Sequence, residues 1–193
     1  MGSHPQNVVR DTLRDHRAMI AGIEEHLSDA IAELARRVRS ALDGGGRVLV
    51  FGNGGSAADA QHFAAELIGR YVRERSPWAA IALTTDTSAL TAIGNDYGFE
   101  EVFARQVTGL ARGGDLVCGI TTSGRSENVV RGLAAGKARG AFTVGLTGSA
   151  PGRLPEVADL VLAVPSRITA RIQEGHILVL HLVCEILDAD LAG

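Results

Sequence analysis

The segment from Val48 to Glu66, VLVFGNGGSAADAQHFAAE, limits most strongly what this chain can fold into. It begins as a short apolar run typical of a buried strand, breaks at the glycine turn Gly52–Gly55, and continues as an alanine-rich segment with high helix propensity. We predict an anion site here, because the amide groups of a helix that begins at Ser56 point outward and glycines let a phosphate approach the main chain. The same helix carries His62 and Glu66, four residues apart and therefore on one face.

The composition indicates an α/β protein. The 193 residues have room for one domain with a hydrophobic core, or for a domain with a helical arm, and 46% of them are hydrophobic, with 24 glycines. A net charge of −3 gives no general electrostatic reason to bind nucleic acid or a membrane. Cys118 and Cys184 lie in apolar runs, as buried thiols of a reducing compartment do, and no segment has the length and hydrophobicity of a membrane span. The expected location is therefore the cytoplasm.

An N-terminal helical arm is predicted for residues 1–45. Apolar residues recur in steps of three and four between Val8 and Leu42 without an internal proline, and Gly44–Gly46 ends the segment. The pattern alone leaves open whether this stripe covers the chain's own sheet or packs on another subunit. The stripe consists of Ile20, Ile23, Leu27, Ile31, Leu34, Val38 and Ala41.

After the glycines, apolar segments of strand length alternate with helical segments over residues 46–193. This alternation predicts one doubly wound domain, a parallel sheet with helices on both faces. Ligands of such sheets bind beyond the carboxyl ends of the strands, so the loops that follow the strands are the candidate site. The predicted strands are Arg47–Phe51, Ala79–Leu83, Asp115–Ile120, Phe142–Leu146 and Leu160–Val164, and the predicted helices after the arm are Ala57–Tyr71, Phe99–Leu110, Ser126–Arg139 and about Arg171 to Leu191.

A hydroxyl-rich loop follows the third predicted strand. Thr121, Thr122, Ser123 and Ser126 offer neutral donors for phosphate oxygens, and Ser126 also suits a helix N-cap. The alternative is that these residues only end a strand and cap a helix. A shared anion pocket is the favoured interpretation, because this loop and the glycine turn both follow parallel strands.

A dinucleotide site is the alternative for the glycine turn. Residues Gly52–Ala57 fit the pattern G-x-G-x-x-G/A, and Asp86 closes the second predicted strand, where a ribose partner would sit. The match is weak, because Asp86 lies beyond the usual spacing of about twenty residues and the hydroxyl-rich loop has no obvious role in such a site. A P-loop is excluded, since no Lys-Ser/Thr pair follows the glycines.

The last predicted helix carries a histidine in an apolar stretch. A buried His181 needs a partner, and a backbone carbonyl is the simplest one. Together with His62, Glu66 and a carboxamide it is also compatible with a metal such as zinc. Helical periodicity places Glu174 rather than Gln173 on the face of His181, so periodicity does not favour Gln173 as a ligand.

Four motifs in order resemble the phosphoheptose isomerase family, the sedoheptulose 7-phosphate isomerases of the sugar isomerase (SIS) fold. They are GNGGSAADAQHFAAEL at Gly52–Leu67, LTTDTSALTAIGNDYGFEEVF at Leu83–Phe103, TSGRSENV at Thr122–Val129 and RIQEGHI at Arg171–Ile177. The resemblance implies a five-stranded parallel sheet flanked by helices, a phosphorylated seven-carbon sugar as substrate, and a homotetramer in which the N-terminal helix contributes to subunit contacts.

The resemblance also assigns roles to residues of this chain. Glu66 and His181 match the proposed catalytic base and acid, and Arg70, one turn beyond Glu66, is either an assisting charge or a solvated helix arginine. Zinc would be bound at His62, Glu66, Gln173 and His181. The positions that match substrate-binding residues are Asn53, Gly54, Gly55, Ser56, Asn95, Asp96, Thr121, Thr122, Ser123, Ser126 and Gln173, of which Asn95 and Asp96 are also compatible with a simple turn.

Aldose–ketose isomerisation needs the groups that the resemblance supplies. A proton moves between C1 and C2 through an enediol, which requires a base, a proton donor and a positive charge near the developing enediolate. A carboxylate bound firmly to zinc is a weaker base. Either Glu66 loosens its hold on the metal when substrate binds, or the metal is not needed in every turnover.

The chain departs from the family at three positions, and two alternative functions remain open. Thr121 stands where Ser is common, Arg125 where Asn is usual and Ile168 where Asp is common, which leaves the sugar contacts open. One alternative is a noncatalytic regulator of the same fold, like the DnaA initiator-associating protein, and the other is an isomerase of a different phosphosugar. The presence of both Glu66 and His181 favours an enzyme.

Overall fold

A computed structural model describes residues 4–191 and has the predicted doubly wound architecture. Five parallel strands form one sheet in the order β2-β1-β3-β4-β5. The strands are β1 (Val48–Gly52), β2 (Ala80–Ala82), β3 (Leu116–Ile120), β4 (Phe142–Thr147) and β5 (Leu160–Ala163). The helices are α1 (Pro5–Asp43), α2 (Gly55–Ile68), α3 (Thr87–Tyr97), α4 (Val102–Leu110), α5 (Glu127–Ala138), α6 (Leu154–Val157) and α7 (Thr169–Asp190), and a 3-10 turn at Phe99–Glu101 precedes α4.

The sheet separates two hydrophobic cores. Helices α1, α2 and α7 cover one face, and α4 and α5 cover the other. Every residue of β1 and β3 is buried, as expected for central strands of a parallel sheet that is covered on both faces. At the carboxyl edge of the sheet, Gly52 of β1 pairs with Ile120 of β3, so the two loops predicted to bind an anion leave the sheet side by side.

The predicted helical arm is a single helix, α1, that packs on its own chain. Apart from Ile20, the predicted stripe is buried against α7 and the sheet of its own chain. A more N-terminal part of α1 leaves Val8, Val9 and Leu13 exposed. That these outer residues contact another subunit stays a prediction. No helix within residues 4–191 combines the length and the apolar character that crossing a bilayer requires.

Helix α3 was not predicted from the sequence. It begins after Asp86, whose Oδ1 accepts a hydrogen bond from the amide of Ala89 at 2.9 Å. Asp86 is therefore an N-cap, which gives this residue a local structural role in place of the ribose contact of the dinucleotide alternative. Helix α3 buries none of its residues completely, so it lacks the apolar stripe by which helices are found in sequences.

A buried histidine of α7 makes stability depend on pH. His176 is fully buried, its Nε2 lies 3.1 Å from the carbonyl oxygen of Thr147, and its Nδ1 has no partner among the described residues. Burial lowers the pKa of His176 from 6.5 to about 4, and the bond to the carbonyl only partly opposes the change. Between these pKa values the unfolded chain binds the proton and the folded chain does not, so acidification through this range destabilises the fold.

We expect the folded state to lose about 2 kcal/mol of unfolding free energy between pH 7 and pH 5 through this histidine. Urea unfolding gives the free energy of unfolding of the wild type and of His176→Gln at pH 7 and at pH 5. The contribution of His176 is the loss between the two pH values in the wild type minus the loss in His176→Gln. The exposed His26 supplies the control variant His26→Gln, which should behave as the wild type. An equal pH dependence in the wild type and in His176→Gln would show that His176 does not titrate as described.

Candidate active site

The glycine turn joins β1 to α2 in a close crossing. Gly54 has a positive φ of 56° and precedes α2 as its N-cap residue, with no side chain capping the helix. A Cβ at Gly52 would lie 2.8 Å from the carbonyl oxygen of Ile120 and 2.7 Å from the Cβ of Ser56, so only glycine fits where β1 meets β3. Ser56 is buried at this point. The uncapped start of α2 therefore faces the loop that follows β3, as an anion site requires.

The hydroxyl-rich loop after β3 is internally bonded. The Oγ atoms of Thr121 and Ser126 lie 2.9 Å apart, and the Oγ of Ser123 accepts a hydrogen bond from the amide of Arg125 at 3.2 Å. Ser126 occupies the N-cap position of α5, as predicted, but its hydroxyl bonds to Thr121 and makes no capping bond. Thr121 is buried and Ser123 is exposed, so the loop presents hydroxyls at different depths.

A pair of asparagines ties the two loops together. The Nδ2 of Asn53 donates to the Oδ1 of Asn128, and the Nδ2 of Asn128 donates to the Oδ1 of Asn53, both at 2.9 Å. Asn53, a predicted substrate-binding residue, thus uses one hydrogen of its side-chain amide and its Oδ1 in the contact between the two loops. Asn128 was not predicted, because nothing in the local pattern indicates a contact 75 residues away. The cradle formed by the two loops, residues 52–56 and 121–126, is pre-organised by this amide pair.

Helices α2 and α7 bring a three-residue cluster together, as predicted for His62, Glu66 and His181. The Nε2 of His62 lies 3.0 Å from the Oε1 of Glu66 and 3.1 Å from the Nε2 of His181. Potential ligand atoms of all three residues lie within 4.8 Å of one another, so they could hold a metal ion. His62 is about half exposed and Glu66 is less exposed, at 48% and 23% of their side chains, so the cluster opens to a ligand.

Two further residues adjoin this cluster and were not predicted. Tyr71 lies with its ring centroid 5.8 Å from that of His181 and donates its hydroxyl to the Oε1 of Glu185 at 3.2 Å. Asp59 lies three residues before His62 on α2, and its Oδ2 is buried with no partner among residues 4–191. Burial raises the pKa of Asp59 to about 6, and the nearby imidazole of His62 opposes the change. Asp59 precedes His62 by three residues, a helical spacing, and this spacing is the one signal by which the sequence could have indicated it.

The structure separates the two neighbours Gln173 and Glu174 of α7. The carboxamide of Gln173 lies against Gly55 at the start of α2, where a Cβ would come 2.5 Å from its Nε2. Glu174 instead pairs with the buried Arg171 and with His16 of α1, whose Nδ1 lies 2.6 Å from its Oε2. These contacts hold Glu174 between α7 and α1. Helical periodicity had placed Glu174, and not Gln173, on the face of α7 that carries His181.

Gln173 contacts α2 at Gly55, about two turns before His62 of the cluster. Gly55 and His62 are seven residues apart on α2, or about 10 Å along the helix axis. The structure thus brings together three of the four residues predicted to bind a metal and places Gln173 next to the predicted anion cradle. As a fourth ligand, Gln173 would have to move its side chain along α2, so this role stays a prediction.

Three other predicted residues point to solvent. Asn95 and Asp96 are exposed on α3, which rules out a simple turn, and the Nδ2 of Asn95 donates to the Oδ1 of Asp96 at 2.7 Å. Arg70 donates to the carbonyl oxygen of Val72 at 3.0 Å, and its Nε lies 3.6 Å from the Oε2 of Glu74. Arg70 is solvated, and it lies beyond the end of α2 instead of on the predicted helix. Asn95 and Asp96 form no hydrogen bond with the cradle within residues 4–191.

Comparisons with known proteins identify relatives of this chain. The family described as SIS domain matches residues 13–148. The phosphoheptose isomerase of Geobacter metallireducens is 54% identical over 179 residues, which cover 93% of this chain and 95% of that protein. The phosphoheptose isomerase of Aquifex aeolicus is 50% identical over 180 residues, covering 93% and 94%.

Solved structures give the same result. The phosphoheptose isomerase of Neisseria gonorrhoeae superposes with a TM-score of 0.91 and 43% identity over 96% of this chain and 100% of that chain. The one from Francisella tularensis has a TM-score of 0.93 and 37% identity over 97% and 100%. More distant structures, such as that of the NanR protein of Vibrio vulnificus at 16% identity and a TM-score of 0.69, share the fold alone. The conclusion from sequence motifs, fold and relatives is that the chain belongs to the phosphoheptose isomerase family of SIS-domain enzymes.

Proposed function

We propose that the chain converts sedoheptulose 7-phosphate to D-glycero-D-manno-heptose 7-phosphate by proton transfer through an enediol. The observation that carries the proposal is the cluster of His62, Glu66 and His181, of which His62 and Glu66 lie on α2, the helix whose start at Gly55 is part of the phosphate cradle. One helix thereby fixes the reacting end of a sugar phosphate relative to its anchored phosphate, which is the positioning that isomerisation requires.

Glu66 is the base in this proposal. Its carboxylate removes the proton from C1 of the ketose and returns it to C2, which converts the ketose carbonyl carbon into a carbinol carbon. His181 donates a proton to the oxygen on C2 and accepts one from the oxygen on C1, so that protons balance over the cycle. His62, between the two at 3.0 and 3.1 Å, holds both side chains in place.

The donor set of the cluster suits zinc. Two imidazole nitrogens and one carboxylate oxygen are a ligand set of catalytic zinc, which leaves a further position for substrate. Zinc bonds of about 2.0–2.1 Å separate tetrahedral donors by about 3.3 Å, and the donor pairs here lie 3.0 and 3.1 Å apart. His62, Glu66 and His181, with Gln173 as a fourth ligand after a side-chain movement, would hold the ion. Bound zinc would supply positive charge that polarises the sugar carbonyl.

A homotetramer is part of the proposal. A groove of about 420 Å³ between α1 and α7, lined by Ile20, Ile23 and Leu182 among others, continues the exposed apolar residues of α1 and supports burial against another copy. Light scattering of the purified protein tests it, and a particle with the mass of one chain would contradict it.

Incubation with sedoheptulose 7-phosphate tests the function. We expect an aldoheptose phosphate to appear, detected by nuclear magnetic resonance of the reaction mixture. Turnover of fructose 6-phosphate or of a pentulose phosphate, but not of the seven-carbon ketose, would favour an isomerase of another phosphosugar. Absence of turnover on all three, with tight binding to an initiator protein, would favour a noncatalytic regulator.

A further inference from the structure

A second polar cavity shares Thr122, Ser123 and Arg125 with the second loop of the phosphate cradle and extends from there over the carboxyl ends of β4 and β5. Its volume is about 250 Å³. Arg125 and Arg167 line it together with hydroxyl side chains such as those of Ser123, Ser149 and Ser166, and no carboxylate of residues 4–191 lines it. We call this cavity the arginine pocket. It is in the position where doubly wound sheets bind ligands.

The walls of the arginine pocket are held together by backbone hydrogen bonds. The amide of Ser149 donates to the carbonyl oxygen of Ser166 at 3.0 Å, which joins the loops after β4 and β5. The amide of Arg153 donates to the carbonyl oxygen of Gly124 at 3.0 Å, which joins the loops after β3 and β4. Gly124 has a φ of 65°, and a Cβ there would collide with the carbonyl of Pro151. The pocket is therefore built into the fold before any ligand arrives.

The charge of the arginine pocket is not compensated by the protein. Within residues 4–191, neither Arg125 nor Arg167 forms an ion pair, whereas the neighbouring Arg131 and Arg153 pair with Glu127 and with a second glutamate each. Two guanidinium groups that line one cavity repel each other, and an anion between them removes that repulsion.

The start of α7 adds to this positive potential. The N-cap residue of α7 is Ile168, which offers no side-chain acceptor, and Thr169 of the first turn lines the pocket. An uncapped helix of 22 residues presents amide donors and the positive end of its dipole to whatever the pocket contains. The stem of Arg125 lies against Gly152, where a Cβ would come 3.1 Å from its Cγ, so this side chain is supported from behind.

We propose that the arginine pocket binds a second anionic group of the phosphate type, separate from the phosphate held by the cradle. The identity of the cradle as the first phosphate site rests on the proposed function. Arginine forks bind phosphate oxygens in pairs, and the hydroxyls supply neutral donors around them. The second group is either the other phosphate of a sugar bisphosphate or a free phosphate anion.

Binding of inorganic phosphate to protein already saturated with sorbitol 6-phosphate tests the proposal. Sorbitol 6-phosphate has no carbonyl group, so it occupies the cradle without reacting. We expect calorimetric titration at constant ionic strength to show one phosphate bound per chain. Arg125→Asn and Arg167→Gln should each weaken this binding about tenfold or more, because each removes charge-assisted hydrogen bonds. In Arg167→Gln the affinity for sorbitol 6-phosphate should change less than about threefold, because Arg167 lies outside the cradle, whereas Arg125 belongs to the second loop of the cradle.

A second pair of probes distinguishes the two sources of the anion. If the second phosphate belongs to the same ligand, fructose 1,6-bisphosphate binds at least about tenfold tighter than fructose 6-phosphate, and the arginine variants lose this advantage. If the pocket takes a separate anion, inorganic phosphate binds beside the monophosphate and the bisphosphate has no advantage. Either result supports a second anion site.

Arg112 provides the matched control, because it is exposed, has no ion pair within residues 4–191 and lies before β3, at the opposite edge of the sheet. Arg112→Gln should bind both probes as the wild type does. The proposal is overturned if inorganic phosphate binds only by displacing sorbitol 6-phosphate, or if both arginine variants bind it like the wild type. A failed conversion of sedoheptulose 7-phosphate would overturn the proposed function and leave this binding result intact.

Discussion

Replacement of Glu66 by glutamine is expected to lower kcat for sedoheptulose 7-phosphate by about 10²- to 10⁴-fold, the usual contribution of a general base. The reason is geometric. Within the cluster Glu66 is the one carboxylate, and His62 and His181 are the other two members. A carboxamide cannot accept the C1 proton at neutral pH. KM should change little, because the cradle that anchors the phosphate is left intact.

The measurement is steady-state kinetics with metal analysis of the same samples. Glu156→Gln on α6, an exposed carboxylate remote from the cluster, is the matched control and should retain full kcat. If Glu66→Gln loses its metal along with its activity, and added zinc restores both, then Glu66 serves as a ligand and not as the base. Retention of more than about a tenth of wild-type kcat would also contradict the assignment.

Replacement of His62 by alanine is expected to raise the dissociation constant for zinc by at least about 100-fold, since loss of a ligand exceeds the 10- to 100-fold effect of losing a ligand's hydrogen-bond partner. His62 lies between the other two members of the cluster, 3.0 Å from Glu66 and 3.1 Å from His181. Its removal leaves only Glu66 and His181 as ligands, without the residue that contacts both. Competition with a zinc-binding dye measures the constant without reference to activity.

His26→Ala is the control for this experiment, because His26 is an exposed histidine of α1. It should bind zinc as the wild type does. His62→Ala protein that binds zinc with wild-type affinity would show that the ion lies elsewhere, and the assignment of His62, Glu66 and His181 as the metal site would then fail.

Local patterns predicted the elements that bury an apolar face. The stripe of α1 and the buried strands β1 and β3 are periodic or continuous in hydrophobicity, so their positions followed from the sequence. Helix α3 has no fully buried residue, so periodicity did not indicate it, although Asp86 is a helix-start signal. Elements that contribute little to the core are thus the ones that sequence periodicity does not indicate.

The candidate site shows the same limit. His62 and Glu66 follow from helical spacing, and their meeting with His181 required the packing of α2 on α7. Periodicity favoured Glu174 for the face of His181. Glu174 instead forms an ion pair with Arg171 and a hydrogen bond with His16 of α1, and a pattern within α7 cannot reveal the contact with α1.

Isomerisation in deuterated water tests the central claim most directly. If Glu66 takes the proton from C1 and its carboxyl group exchanges that proton with solvent before C2 is protonated, the aldoheptose phosphate formed in D₂O carries deuterium at C2, as read by proton nuclear magnetic resonance. Glu66→Gln then forms no labelled sugar at a comparable rate. Efficient conversion by Glu66→Gln with full deuterium incorporation would contradict the account, because another group would then be moving the proton.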